Sequence, residues 1–193
     1  MSSASQSGPI TPAPRIIALT GFMGAGKTII GRALADLLGW AFLDLDHEIE
    51  LREGIPVREI FRRFGETPFR EIEGEILRRL LKQVSSPTVI ALGGGTFVQV
   101  SNAALLREAG ARVVFLETPI ELMLERCRVG EPASGENLRP LAADPDAFRA
   151  LYAERLPWYR AAELTVLTAS GTEEENARKI AEGLGLGASI GEG

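Results

Sequence analysis

The chain of 193 residues has one cysteine, Cys127, and one histidine, His47. A single thiol excludes an internal disulfide and a thiolate metal cluster, and it fits a reducing, cytoplasmic setting. A lone imidazole beside Asp46 reads as a surface side chain, because metal ligation needs partners. No apolar run approaches the roughly 20 residues needed to span a bilayer. Residues 1–14 have neither a charged start nor an apolar core; their Ser, Pro and Ala content reads as a disordered tail rather than a signal peptide. The Gly-rich residues 185–193 read as a flexible tail in the same way. Basic excess is also missing. A net charge of −5 speaks against a general nucleic-acid binder, whose phosphate contacts need a basic surface. An anionic ligand must then be met by a local cluster of arginines. What remains is ordinary globular material, 45% apolar and 24% charged. That is enough for one domain with a real core, over residues 15–184.

The organising stretch is Gly21-Phe22-Met23-Gly24-Ala25-Gly26-Lys27-Thr28, which fits the phosphate-loop pattern. Its glycines allow backbone N–H groups to turn onto a polyphosphate; Lys27 can reach the β- and γ-phosphates, and the Thr28 hydroxyl can ligate magnesium. A short apolar strand precedes it at residues 15–20. Residues 29–38 follow with apolar positions at helical spacing and close at Gly39. The loop therefore opens a helix N-terminus, which favours anions.

Residues 41–46 read as a second strand ending in Asp44 and Asp46. Acids at a strand's carboxyl end point to the ligand crevice of an α/β protein, and two apart in extended chain they share a face; capping of the next helix by one of them is the alternative. A short helix at 56–64 carries Val57, Ile60, Phe61 and Phe64 at core spacing. Thr67-Pro68 then caps a longer helix with Phe69, Ile72, Ile76, Leu77, Leu80 and Leu81 as its buried stripe. Arg70 in the first turn opposes the helix dipole, so either it holds an anion or it pairs with Glu66 or Glu73. A third strand at 87–92 runs into Gly93-Gly94-Gly95, which permits close approach to a small ligand or makes a plain turn. This strand ends with no acid, which leaves the metal-binding role to Asp44. A fourth strand at 112–116 precedes a capping box at Thr118 and Glu121. Residues 130–137, bracketed by Arg128 and Arg139, read as a lid or a surface loop. A helix from Asp144-Pro145 stops before Pro157 with Arg155 in its last turn. A fifth strand lies at 164–167, and Thr172 with Glu175 makes a capping box for the closing helix. Alternating strands and helices imply a mainly parallel sheet covered on both faces, with the site at the strand carboxyl ends.

Asp44-Leu45-Asp46-His47-Glu48-Ile49-Glu50, Phe61 with residues 65–73, Gly93-Gly94-Gly95, Arg139-Pro140-Leu141, and Arg155 with Tyr159, in this order and spacing, resemble the shikimate kinase family. The resemblance implies a three-layer α/β/α fold of the nucleoside-monophosphate-kinase type, with a five-stranded parallel sheet in the order 2-3-1-4-5. Substrate-binding helices would span about 46–82 and a lid about 126–140. It implies transfer of the ATP γ-phosphate to the 3-hydroxyl of shikimate. By the same resemblance Gly24, Ala25, Gly26, Lys27, Thr28 and Ile29 wrap the ATP phosphates, Thr28 and Asp44 hold Mg²⁺, and Arg126 lies against the adenine. Asp46 accepts hydrogen bonds from shikimate hydroxyls, while Arg70 and Arg155 clamp its carboxylate with Gly93, Gly94 and Gly95. Phe61 and Phe69 shape the pocket, and Arg139 stabilises charge on the transferring group beside Lys27. The expectation is a monomer that binds ATP and shikimate and neither nucleic acid nor membrane. Two other readings are a gluconate-kinase-like enzyme of the same fold and a module that senses ATP or shikimate without turnover.

Overall fold

The computed structural model describes residues 15–129 and 143–187. The expected tail at 1–14, most of that at 185–193, the expected lid segment at 130–137 and Arg139 lie outside the described residues. Along the chain come β1 (Ile16–Thr20), α1 (Lys27–Leu38), β2 (Ala41–Asp44), α2 (Leu45–Glu53), α3 (Val57–Phe64), α4 (Glu66–Gln83), β3 (Thr88–Ala91), α5 (Val100–Glu108), β4 (Arg112–Glu117), α6 (Ile120–Val129), α7 (Pro145–Tyr159), β5 (Leu164–Leu167) and α8 (Glu173–Gly183). All strand pairs are parallel, in the order β2-β3-β1-β4-β5.

β1 is buried along its whole length, as expected of a central strand covered on both faces. Its side chains alternate between two cores. Ile17 and Leu19 join Leu34 of α1 and Ala177 and Ile180 of α8 on one face. Ile16 and Ala18 join Ile49, Ile60, Leu77 and Leu106 of α2, α3, α4 and α5 on the other. Helices on both faces leave the row of strand carboxyl ends, Thr20, Asp44, Ala91 and Glu117, as the open edge where a ligand can sit.

Several local expectations change. β2 ends at Asp44 and the helix begins at Leu45, so Asp46 stands in a first helical turn and does not share a strand face with Asp44. Asp44 itself is the N-cap, its carboxylate accepting from the N–H groups of Asp46 and His47. α4 starts at Glu66 after an uncapped Gly65, ahead of Thr67. Thr118 does not serve as a cap residue of the expected kind: it is buried, and its hydroxyl is 2.6 Å from that of Thr168 and donates to Ala25 O at 3.4 Å. α7 passes through Pro157 to Tyr159. Proline removes one N–H from the ladder, and here the loss falls in the helix's final turn. The capping box of Thr172 and Glu175 forms as read.

On α3, Ile60 is 1% exposed but Phe64 is 57% exposed, because the helix offers only a narrow face to α4. Ile60→Ala is expected to lower unfolding stability by about 2–4 kcal/mol and Phe64→Ala by less than about 1 kcal/mol, measured as shifts in urea midpoint. Equal losses would contradict this packing.

Candidate active site

Backbone geometry fixes the phosphate loop. Gly24 and Gly26 adopt φ values of 79° and 90°, a region that glycine enters without strain. At Gly24 space forbids a side chain as well, since a Cβ would lie 2.6 Å from Met123 O and 3.0 Å from Cys127 Sγ of α6. Ala25 is buried, and its N–H donates to Phe22 O at 3.2 Å. Lys27, Thr28 and Ile29 form the first turn of α1, where N–H groups lack helical acceptors and carry the positive end of the dipole. The Lys27 ammonium donates to Gly21 O at 2.9 Å and Phe22 O at 3.0 Å. The Ile29 side chain is 58% exposed and faces a groove between α1 and α8, so only its backbone is available to the loop.

Thr28 Oγ1 donates to Asp44 Oδ2 at 2.6 Å, while Asp44 Oδ1 serves as the α2 cap. One carboxylate thus caps α2 with one oxygen and takes the Thr28 hydroxyl with the other. The hydroxyl and carboxylate are hard oxygen donors at the mouth of a phosphate loop. They fit a Mg²⁺ ion that completes its octahedron with water and nucleotide phosphates, and they are too few for an all-protein cage.

Asp46 sits beside this pair on α2. Burial, only partly offset by the Lys27 charge and reinforced by Asp44, Glu73 and Glu50, pushes its carboxyl up from 3.8 to about 6. The carboxyl is withdrawn against the Gly93-Gly94-Gly95 turn that follows β3. A Cβ on Gly93 would lie 2.8 Å from Asp46 Oδ1 and 2.9 Å from both Glu73 Oε1 and Thr96 Oγ1. A Cβ on Gly95 would run into the Arg70 guanidinium, and one on Gly94 would approach Met23 N at 3.6 Å and Gly21 O at 3.8 Å. Each glycine therefore meets a different part of the site.

Arg70 projects from α4 over an aromatic shelf, its Cζ 5.1 Å from the Phe69 ring centre and 5.8 Å from that of Phe61. The two rings are 4.2 Å apart, and cation–π attraction holds the guanidinium above them. Both carboxylates the sequence offers as partners are engaged: Glu73 at 2.9 Å and Glu66 at 3.2 Å. Glu66 is exposed, and such a pair contributes little. Glu73 is buried and also accepts from Thr96 Oγ1 at 2.6 Å, so it fixes Arg70 while leaving part of the guanidinium's donor set for an anion. From the other side, Arg155 Nη1 lies 3.5 Å from Gly94 O, and the Tyr159 hydroxyl donates to the same oxygen.

The structure thus brings together Gly24, Ala25, Gly26, Lys27, Thr28, Asp44, Asp46, Phe61, Phe69, Arg70, the three glycines and Arg155. Arg126 is exposed on α6, with Nη1 3.3 Å from Gly24 O, at the outer rim of the loop. The sequence reading gives no place in the site to three residues. Glu73 appears there only as a partner for Arg70, although its i,i+3 spacing is the usable signal. Thr96 gives none. Tyr159 stands four residues after Arg155, a helical spacing hidden by the expectation that Pro157 ends the helix.

A carboxyl whose folded value is raised destabilises the folded state once ionised. The penalty is absent below about pH 4 and complete above about pH 6. Asp46→Asn removes it, so the nucleotide- and metal-free variant should be more stable than the parent at pH 7.5 by roughly 2–3 kcal/mol. The gain should fade toward pH 4 in urea unfolding. A gain independent of pH would contradict the buried, charged Asp46.

Comparison with known proteins follows the same geometry. Residues 23–184 match the family model described as shikimate kinase. The shikimate kinase of Moorella thermoacetica is 42% identical over 173 residues, covering 89% of this chain and 95% of its own. That of Geobacter sulfurreducens is 42% identical over 170 residues, covering 86% and 89%. The crystallised shikimate kinase from Acinetobacter baumannii in complex with shikimate superposes with a TM-score of 0.78 at 38% identity, covering 89% of this chain and 92% of that one. With the phosphate loop, the paired acids and the glycine turn assembled at one sheet edge, the chain belongs to the shikimate kinase family.

Proposed function

We propose that this chain transfers the γ-phosphoryl group of ATP to the 3-hydroxyl of shikimate, giving shikimate 3-phosphate and ADP, and that the residues gathered at the glycine turn carry the reaction. The observation that supports it best is the placement of Asp46 and Arg70 on opposite flanks of Gly93-Gly94-Gly95, with the phosphate loop against the middle glycine. A carboxylate that can accept from a hydroxyl and a guanidinium that can take a carboxylate suit a polyhydroxylated ring acid. Planar guanidinium binds carboxylate through two donors, so Arg70 and Arg155 hold the acceptor's acid group, and Phe61 and Phe69 lie under its ring.

Phosphoryl transfer through a loose transition state depends on position and charge neutralisation more than on a strong base. Asp46 orients the attacking hydroxyl and takes its proton as the new O–P bond forms. A carboxyl raised to about 6 suits this better than an ordinary one. Lys27 and the N–H groups from Gly24 to Ile29 receive the phosphates, and Arg126 borders the adenine. For Arg139, which lies outside the described residues, the family resemblance implies a role in stabilising charge on the transferring group. Thr28 and Asp44 would hold Mg²⁺, which would neutralise charge on the nucleotide phosphates. We place the enzyme in the cytoplasm, in keeping with its lone thiol, and take it to act as a monomer.

Coupled ADP release with ATP and Mg²⁺ tests this reading against shikimate, quinate and gluconate in turn. Turnover is expected with shikimate. Arg70→Ala should raise KM for shikimate by about 10²-fold, the loss of a charge-assisted pair, and Asp46→Asn should lower kcat by about 10²–10⁴-fold. Turnover with gluconate alone, or ATP binding without turnover on any acceptor, would overturn it.

A further inference from the structure

The mechanism above uses Arg155 but gives no task to Tyr159, the largest fully buried side chain among the described residues. Both stand on one face of α7, four residues apart, because the helix continues through Pro157. The Tyr159 ring is stacked on Phe115 of β4, with centroids 5.3 Å apart and planes at 22°, so its position is tied to the sheet. Its hydroxyl donates to Gly94 O. Burial, partly offset by the charge and the hydrogen bond of Arg155, pushes that hydroxyl up to about 12, which keeps it a donor across the working range of pH.

Gly94 is the junction of the site. Its α-carbon faces Met23 and Gly21 of the phosphate loop, and its two neighbours carry Asp46 and Arg70. Its carbonyl has two donors within reach, the Tyr159 hydroxyl and, at the far limit of a hydrogen bond, Arg155 Nη1 at 3.5 Å. We infer that Tyr159 is a positioning residue for the acceptor: its hydroxyl donates to Gly94 O and accepts from Arg155, which holds the glycine turn at a fixed distance from the phosphate loop and sets the Arg155 guanidinium so that its remaining donors meet the acceptor's carboxylate. The inference rests on the reading of Arg155 given above. Without the hydroxyl, the carbonyl keeps only the guanidinium as a near donor, and a charge-assisted bond to it is the stronger kind. Arg155 would then be drawn onto the protein and away from the acceptor.

The test is steady-state kinetics on the full chain for Tyr159→Phe, Arg155→Ala and the double variant, with thermal unfolding alongside. Tyr159→Phe should raise KM for shikimate by about tenfold, the worth of one such hydrogen bond, with KM for ATP changed less than about twofold. In the Arg155→Ala background the same substitution should add less than about twofold, because coupled residues are not additive. An unchanged KM in Tyr159→Phe, equal rises in both KM values, or multiplicative effects in the double variant would overturn the inference. If Arg155→Ala alone leaves KM for shikimate unchanged, the carboxylate role of Arg155 fails, and this inference with it.

Discussion

Of three consecutive glycines, the outer two leave no volume for a side chain at the place where the site closes. A Cβ on Gly93 would collide with Asp46, Glu73 and Thr96, and one on Gly95 with Arg70, while Gly94 lies against the phosphate loop. The turn after β3 is therefore the meeting point of α2, α4, the phosphate loop and, through Gly94 O, α7. Parallel strands bring these elements to one edge, but strands alone would leave side chains between them. Absence of side chains lets a carboxylate, a guanidinium and the phosphate loop share one small space.

Charge is arranged in the same spirit. A chain with a net charge of −5 has no general attraction for an anion, so capture depends on arginines held in place. Glu73 accomplishes this for Arg70 from a fully buried position, and a buried pair of this kind contributes geometry more than stability. Asp46 shows the opposite side of the balance. Its carboxyl is kept where ionisation is unfavourable, a local conflict of the sort that functional sites carry and the rest of the fold offsets. The two large cores on either face of the sheet supply that offset.

Much of this was legible in the residues themselves. The phosphate loop is contiguous, so its turn, its lysine and the helix behind it could be read together, and the strand order follows the family resemblance carried by the later motifs. What escaped depends on tertiary context. Asp44 was open between cap and metal ligand because nothing local shows that one of its oxygens caps α2 while the other takes the Thr28 hydroxyl. The strand was extended to Asp46 because alternation cannot reveal that a helix starts at Leu45. Pro157 read as a helix end, although proline there removes a single N–H from the ladder and α7 continues past it to Tyr159. Phe64 fits the spacing of a core residue yet points to solvent, since spacing fixes a face of a helix but not how much of that face is covered.

The most direct test of the glycine turn as the organising constraint is calorimetric binding of shikimate and of ATP to Gly93→Ala beside the parent chain. Displacement of Asp46, Glu73 and Thr96 by a single methyl should weaken shikimate binding by at least about tenfold, or 1.4 kcal/mol, while ATP binding changes by less than about twofold. Shikimate binding equal to that of the parent would contradict it.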